Sequence, residues 1–115
     1  FWRPYLHVRD ISRAIVDVLE AESKLVSGQV FNVGNNKMNY RKKEIADLVK
    51  QDVPKAEFSF VRRDNDPRSY RVDFTKIQKV LGFEPTKSIK DGIREVKAIL
   101  NSGIIVNPED KIYYN

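Results

Sequence analysis

The segment Leu81-Gly82-Phe83-Glu84-Pro85 leaves the backbone little choice. A helical run reaches Leu81, a glycine follows where a helix end turns left-handed, and proline then forbids the helix to resume. Phe83 can fold back as the hydrophobic contact of such an end. Ser88, with Asp91 three residues later, resembles a capping box in which Asp stands for Glu, so a new helix starts there. Ile89, Ile93, Val96, Ile99 and Leu100 give that helix one apolar stripe. The preceding helix is expected from an Asp73 cap through Leu81.

The same reasoning extends upstream. Asp10 reads as the cap of a helix whose stripe is Ile11, Ala14, Ile15, Val18 and Leu19. Gln29-Val30-Phe31-Asn32-Val33 is β-rich and ends at the turn Gly34-Asn35-Asn36. A further helix covers about residues 41–51, with Ile45, Ala46, Leu48 and Val49 on one side and Pro54 beyond its end. Glu57-Phe58-Ser59-Phe60-Val61 alternates as a strand does. Residues 62–71 are polar and turn-rich, and residues 101–115 read as an extended tail. The expected fold class is α/β, with about four helices and two or three short strands. No repeat, linker or low-complexity segment divides the chain, so residues 1–115 are expected to form a single domain.

Composition narrows the chemistry. The chain has 115 residues with no cysteine and one histidine, which excludes a disulfide scaffold, a thiolate zinc site and a histidine pair. Apolar runs of four residues or fewer are far too short for a membrane span, and the opening Phe1-Trp2-Arg3-Pro4 carries no signal-peptide pattern. A reducing cytoplasm is the expected compartment. The apolar stretch Phe1–Val8 is an unusual free N-terminus, so a cut at residue 1 is expected, with partner structure upstream and self-association through the exposed surface. A net charge of +5 suits a phosphate-bearing ligand or a nucleic acid without choosing between them.

Glycine-rich phosphate loops and a Gly-x-Ser-x-Gly elbow are absent from the sequence. His7 lies in an apolar run, where a core or hydrogen-bonded structural role is the better reading. Arginine supplies the positive signal: Arg62, Arg63, Arg68 and Arg71 fall within ten residues, and Arg3 precedes another element. A planar guanidinium fits phosphate oxygens two at a time. The alternative is a solvated loop paired with Asp64, Asp66 and Asp73. Asn32 either orients a ligand or bonds its own turn. Trp2 and Tyr5 either stack on a base or fill a core. A nucleic-acid module using the arginine loop with Lys37, Arg41, Lys42 and Lys43 is the weaker functional alternative.

Six segments, in order, resemble one family. Arg3-Pro4-Tyr5-Leu6-His7-Val8-Arg9-Asp10 is similar to R-D-[YF]-[IL]-H-V-x-D, and Phe31-Asn32-Val33-Gly34 to [VY]-[FY]-N-[VIL]-G. Tyr40 to Leu48 resembles Y-S-V-x-E-I-A-x-L, with Arg41 and Lys42 in place of Ser and an apolar residue. Arg63-Asp64-Asn65-Asp66-Pro67-Arg68-Ser69-Tyr70 resembles R-x-G-D-x-R-x-Y, with Asn65 for Gly. Asp73 to Pro85 resembles D-x-[ST]-K-[AI]-x-x-x-L-G-[WF]-x-P, and Ser88 to Glu95 resembles S-[LI]-x-x-G-[IL]-[RK]-E. These are motifs of the extended short-chain dehydrogenase/reductases, the NAD-dependent epimerase/dehydratases of nucleotide sugars.

The resemblance is to the family's C-terminal, substrate-binding portion. It implies that the dinucleotide-binding domain, with its glycine loop, and the catalytic Tyr-x-x-x-Lys lie upstream. The residues four beyond Tyr5, Tyr40 and Tyr70 are Arg9, Glu44 and Phe74, none of them Lys. By resemblance, Arg63 and Arg3 reach the diphosphate of a nucleotide sugar and Asn32 borders that region. No catalytic, cofactor-binding or metal-binding residue is assigned to this chain. NAD belongs to the full-length parent, and the chain alone is expected to be non-catalytic.

Overall fold

The computed structural model describes residues 1–61 and 68–114. In chain order they form β1 (Trp2–Pro4), α1 (Val8–Glu20), α2 (Ser23–Val26), β2 (Asn39–Arg41), α3 (Lys42–Asp52), α4 (Thr75–Leu81) and α5 (Ile89–Ser102). Single 3-10 turns lie at Asn36–Met38 and Lys111–Tyr113. The α/β class stands, with five α-helices and one small sheet among the described residues. β1 and β2 pair antiparallel, Trp2 opposite Arg41 and Pro4 opposite Asn39.

The strands are not those expected. Residues 29–33 and 57–61 have strand-like sequences but form no ladder. A strand needs a neighbour for its backbone groups, and in the first segment a side chain reaches one of them instead. The Lys76 ammonium donates to the Val30 carbonyl at 2.8 Å and lies over the Phe31 ring. The small sheet forms where it does because asparagines hold its flank. The Asn39 amide donates to the Val72 carbonyl at 3.0 Å and accepts from the Val72 N–H at 2.9 Å, as a neighbouring strand would. Asn36 accepts from the Phe74 N–H at 2.7 Å.

Helix ends follow the sequence closely at α4 and α5. Gly82 is left-handed at φ 63° and its N–H donates to the Gln78 carbonyl. Ser88 accepts from the Asp91 N–H while the Asp91 carboxylate accepts from the Ser88 N–H, which closes the capping box. The cap position of α4 is Phe74 rather than the expected Asp73, whose carboxylate accepts from the Thr75 N–H and hydroxyl in the turn just ahead. The Arg41 substitution does not remove the cap of α3, because Glu44 accepts from the Arg41 N–H at 2.6 Å. α5 runs to Ser102 and ends at a left-handed Gly103, so the expected extended tail starts two residues late and then contains a 3-10 turn.

At α1 the structure corrects two expectations. The cap is His7, whose Nδ1 accepts from the Arg9 N–H, not Asp10. Asp10 is instead buried at 1 % exposure. Its carboxylate accepts from the Thr86 N–H at 3.0 Å, the Thr86 hydroxyl at 3.1 Å, the Lys87 N–H at 2.9 Å and Arg13 at 3.1 Å. This clasp turns the charged side of α1 inward, so of the expected stripe only Ala14 is fully buried. Arg13 also donates to the Glu84 carbonyl and lies over the Phe83 ring at 4.7 Å. Ala14, Ile77 and Phe83 make the core, with Phe31, Val33 and Leu81 packed against it.

Two stability measurements check this architecture. Burial pushes the Asp10 pKa up, but the bonds from Thr86, Lys87 and Arg13 outweigh it and leave the carboxyl below its ordinary value. A depressed folded-state pKa stabilises the fold above the unfolded value, and that stabilisation is lost as pH falls through the folded value. Asp10→Ala therefore lowers the unfolding free energy at neutral pH by about 2–3 kcal/mol, since it orphans two backbone donors. It should also flatten the acid limb of a urea-melt pH series. Gly34→Ala is the second test. A Cβ there would stand 2.6 Å from the Phe74 ring, which is itself buried. Overpacking of this kind costs about 1–3 kcal/mol, read as a lower denaturation midpoint.

Candidate functional site

Phe74 separates two hollows. One, of about 240 Å³, lies on the Gly34–Lys37 side against Gln78, Phe83 and Glu84. The other, of about 290 Å³, lies where the chain leaving β1 crosses the segment before α4. Its walls are Pro4, Tyr5, Leu6, Ile11, Val33, Tyr70, Val72 and Phe74, with Asn32 as the one amide. Aromatic and branched walls with few polar groups are the usual lining of a small-molecule site. We take this groove as the candidate site because Asn32 lines it and Arg3 lies over Tyr70, one of its walls.

Asn32 lines the groove directly. Its amide donates to the Asp73 carbonyl at 3.4 Å, across 41 residues, so it ties the groove's wall to the start of α4 rather than bonding its own turn. Arg3 sits on β1 with its guanidinium 5.1 Å from the centre of the Tyr70 ring, and Tyr70 is a groove wall. Arg3 also donates to the Trp2 carbonyl at 3.0 Å and to the Arg68 carbonyl. Its place is thus set from both sides, by the β1 backbone and by the segment that returns along it. Arg63, the third residue, lies outside the described residues, as do Arg62, Asp64 and Asp66.

Trp2 packs rather than projects. The guanidiniums of Arg41 and Arg71 lie 4.9 and 5.1 Å from its ring centre, within cation–π range. Lys42 lies over the Phe1 ring at 6.0 Å. Of the basic side chains considered for nucleic acid, Arg41, Lys42 and Arg71 thus lie over aromatic faces. Tyr5 meets Tyr40 edge-to-face at 6.3 Å while also lining the groove.

His7 has the structural role read from its sequence context. With Nδ1 accepting from Arg9, the proton resides on Nε2, which donates to Glu95 of α5 at 2.9 Å. The ring is 7 % exposed. It caps α1 and fastens α5, and it is no part of the groove.

The sequence marks Asn36 only as a turn residue and does not single out Asn39, yet their amides fix Val72 and Phe74, two groove walls. The clustering of Asn35, Asn36 and Asn39 was the available signal. The described residues do not fit NAD. Dinucleotides sit at parallel βαβ crevices with glycines at a helix start, whereas this sheet is one antiparallel pair and the space at Gly34 is filled by Phe74. Among the described residues no group of acidic or histidine side chains is placed to hold a metal ion, and no helix is long and apolar enough to cross a membrane.

No family model matches the chain, and no solved structure does. Curated proteins do. The dTDP-glucose 4,6-dehydratase of Salmonella typhimurium is 34 % identical over 102 residues, covering 81 % of this chain and 27 % of that protein. The dTDP-glucose 4,6-dehydratase of Streptomyces griseus is 34 % identical over 95 residues, 79 % of this chain and 27 % of that protein. UDP-glucuronic acid decarboxylase 5 of Arabidopsis thaliana is 29 % identical over 93 residues, 79 % of this chain and 26 % of that protein. The chain thus spans about a quarter of the length of the curated relatives it matches. Six motifs in family order, an α/β fold and this likeness together place the chain in the extended short-chain dehydrogenase/reductase family, where it corresponds to the C-terminal part.

Proposed function

We propose that this chain is the nucleotide-sugar-recognising, C-terminal unit of an NAD-dependent dehydratase, epimerase or decarboxylase, working in the cytoplasm and not catalytic by itself. The observation that carries this reading is the groove between β1 and α4. It has aromatic walls, an amide on one wall and a guanidinium seated over Tyr70. A nucleotide sugar presents a flat base, a doubly charged diphosphate and a hydroxyl-rich ring. Tyr5, Tyr70 and Phe74 offer apolar surface to the flat part, and Asn32 offers an amide to its polar edge. Arg3 supplies positive charge over Tyr70, one of the groove walls, and Arg63 is assigned to the diphosphate by its motif. Charge-assisted, forked bonds from arginine to phosphate are the strongest contacts of this set.

The whole reaction needs more than these residues. NAD supplies hydride transfer when bound to the parent's dinucleotide-binding domain. The present residues bind and orient the substrate against that domain.

Calorimetry with UDP, dTDP and NAD tests the proposal. Binding of one nucleoside diphosphate, with no heat from NAD at micromolar concentration, is the expected result. Hydrogen bonds to charged groups contribute about 1.5–3 kcal/mol, so Arg63→Ala should raise the dissociation constant roughly tenfold to a hundredfold. The melting temperature should hardly move, because Arg63 belongs to no apolar stripe in the sequence. Arg71→Ala, which loses its stack on Trp2, should leave the dissociation constant within about twofold. Equal losses from both variants would mean a diffuse basic surface, and micromolar NAD binding would contradict the assignment of the cofactor to another domain.

A further inference from the structure

The segment from Tyr70 to Phe74 belongs to no sheet, yet it is bonded as a strand is, at every second residue. The Tyr70 N–H donates to the Trp2 carbonyl at 3.2 Å. The Val72 N–H donates to Asn39 Oδ1 at 2.9 Å, and the Phe74 N–H to Asn36 Oδ1 at 2.7 Å. A chain bonded in this way sends successive side chains to opposite faces. Tyr70, Val72 and Phe74 accordingly line the groove. Arg71 and Asp73, both exposed, line a different hollow with Asn36, Asn39 and Thr75. A slip of one residue would exchange the two faces and turn Arg71 and Asp73 into the groove.

The β1 backbone meets this segment at Tyr70. Further along, at Val72, both backbone bonds come from one side chain. Asn39 Nδ2 donates to the Val72 carbonyl at 3.0 Å, and it donates to the Asn36 carbonyl at 3.1 Å. Both amide protons and the amide oxygen of Asn39 are thus engaged. The amide fits in one orientation, because Val72 presents one donor and one acceptor to it. Asn39 is itself fixed on β2, opposite Pro4 of β1. It pairs with both groups of a single residue, so it selects which residue of the segment sits beside it.

We propose that Asn39 is a positioning residue that sets the register of the Tyr70–Phe74 segment. It thereby decides that Tyr70, Val72 and Phe74, not Arg71 and Asp73, form the wall that a ligand in the groove meets. A slipped segment would bring the Asp73 carboxylate against a diphosphate and carry the Tyr70 ring away from Arg3, which now lies 5.1 Å from its centre. The effect on affinity rests on the nucleotide-sugar reading of the groove, whereas the effect on the backbone does not.

Backbone amide exchange and calorimetry on the full chain test this together. In the unaltered chain the Val72 N–H should exchange slowly. Asn39→Ala and Asn39→Asp should each speed it, while the amides of α5 keep their rates. Both variants should bind UDP or dTDP about tenfold or more weakly, having lost the contacts to Val72, with helical circular dichroism unchanged. Acid then separates them. A protonated carboxyl both donates and accepts, as the amide does. Compared with the unaltered chain at the same pH, Asn39→Asp should regain slow Val72 exchange and affinity between about pH 6 and pH 4, and Asn39→Ala should not. A general loss of packing would give no such recovery in one variant alone. A fast Val72 N–H in the unaltered chain would overturn the proposal. So would undiminished binding by Asn39→Ala, which would reduce the effect of Asn39→Asp to its charge, or an Asn39→Asp variant that gains nothing in acid. Failure of the unaltered chain to bind either nucleotide would contradict the nucleotide-sugar reading and the effect on affinity with it, and Val72 exchange would still decide the register.

Discussion

The buried carboxylate of Asp10 is the contact on which the other positions depend. It sits near the start of α1, yet its partners are Thr86 and Lys87, the residues that lead into α5. Four donors around one acidic group fix both the distance and the rotation of α1. Burial of an unpaired carboxylate would be prohibitive, so the clasp forms nearly complete or not at all. Arg13 extends it to the Phe83–Glu84 corner, and Phe83 in turn closes the core over Ile77 and Ala14. One polar cluster thereby holds together elements some seventy residues apart in sequence.

The consequence for recognition is geometric. With α1 held by its charged side, Leu6 and Ile11 are left along one wall of the groove. The facing wall is the Tyr70–Phe74 segment, held by the Tyr70 N–H donating to the Trp2 carbonyl of β1 and by the amides of Asn36 and Asn39. Asn32 bridges to that wall through the Asp73 carbonyl. The aromatic lining and the arginine over Tyr70 therefore come from three distant stretches of chain, brought together by side-chain bonds to backbone.

What was legible in the sequence was local. Gly82, Pro85 and the Ser88–Asp91 pair signal through short-range sterics and hydrogen bonds, and the structure has them as read. Strand positions depend on a partner elsewhere in the chain, so the β-rich residues 29–33 carried propensity without a ladder. Asp10 shows the same limit in another form. An acidic residue at a helix start reads as a cap, and nothing nearby reveals two backbone donors waiting 76 and 77 residues downstream. The α1 stripe had the right period, but the period does not say which side faces in. Of the candidate site, Asn32 and Arg3 were found through motif resemblance, while the asparagines that shape the groove were hidden among ordinary turn residues.

Chemical-shift mapping tests the central claim, a nucleotide-sugar groove between β1 and α4, most directly because it registers even weak binding and reports where. On titration with UDP or dTDP, the account expects saturable shifts concentrated at Tyr5, Asn32, Val33, Tyr70 and Val72. Shifts confined to Lys37 and Arg41–Lys43, or no shifts at millimolar nucleotide, would contradict it.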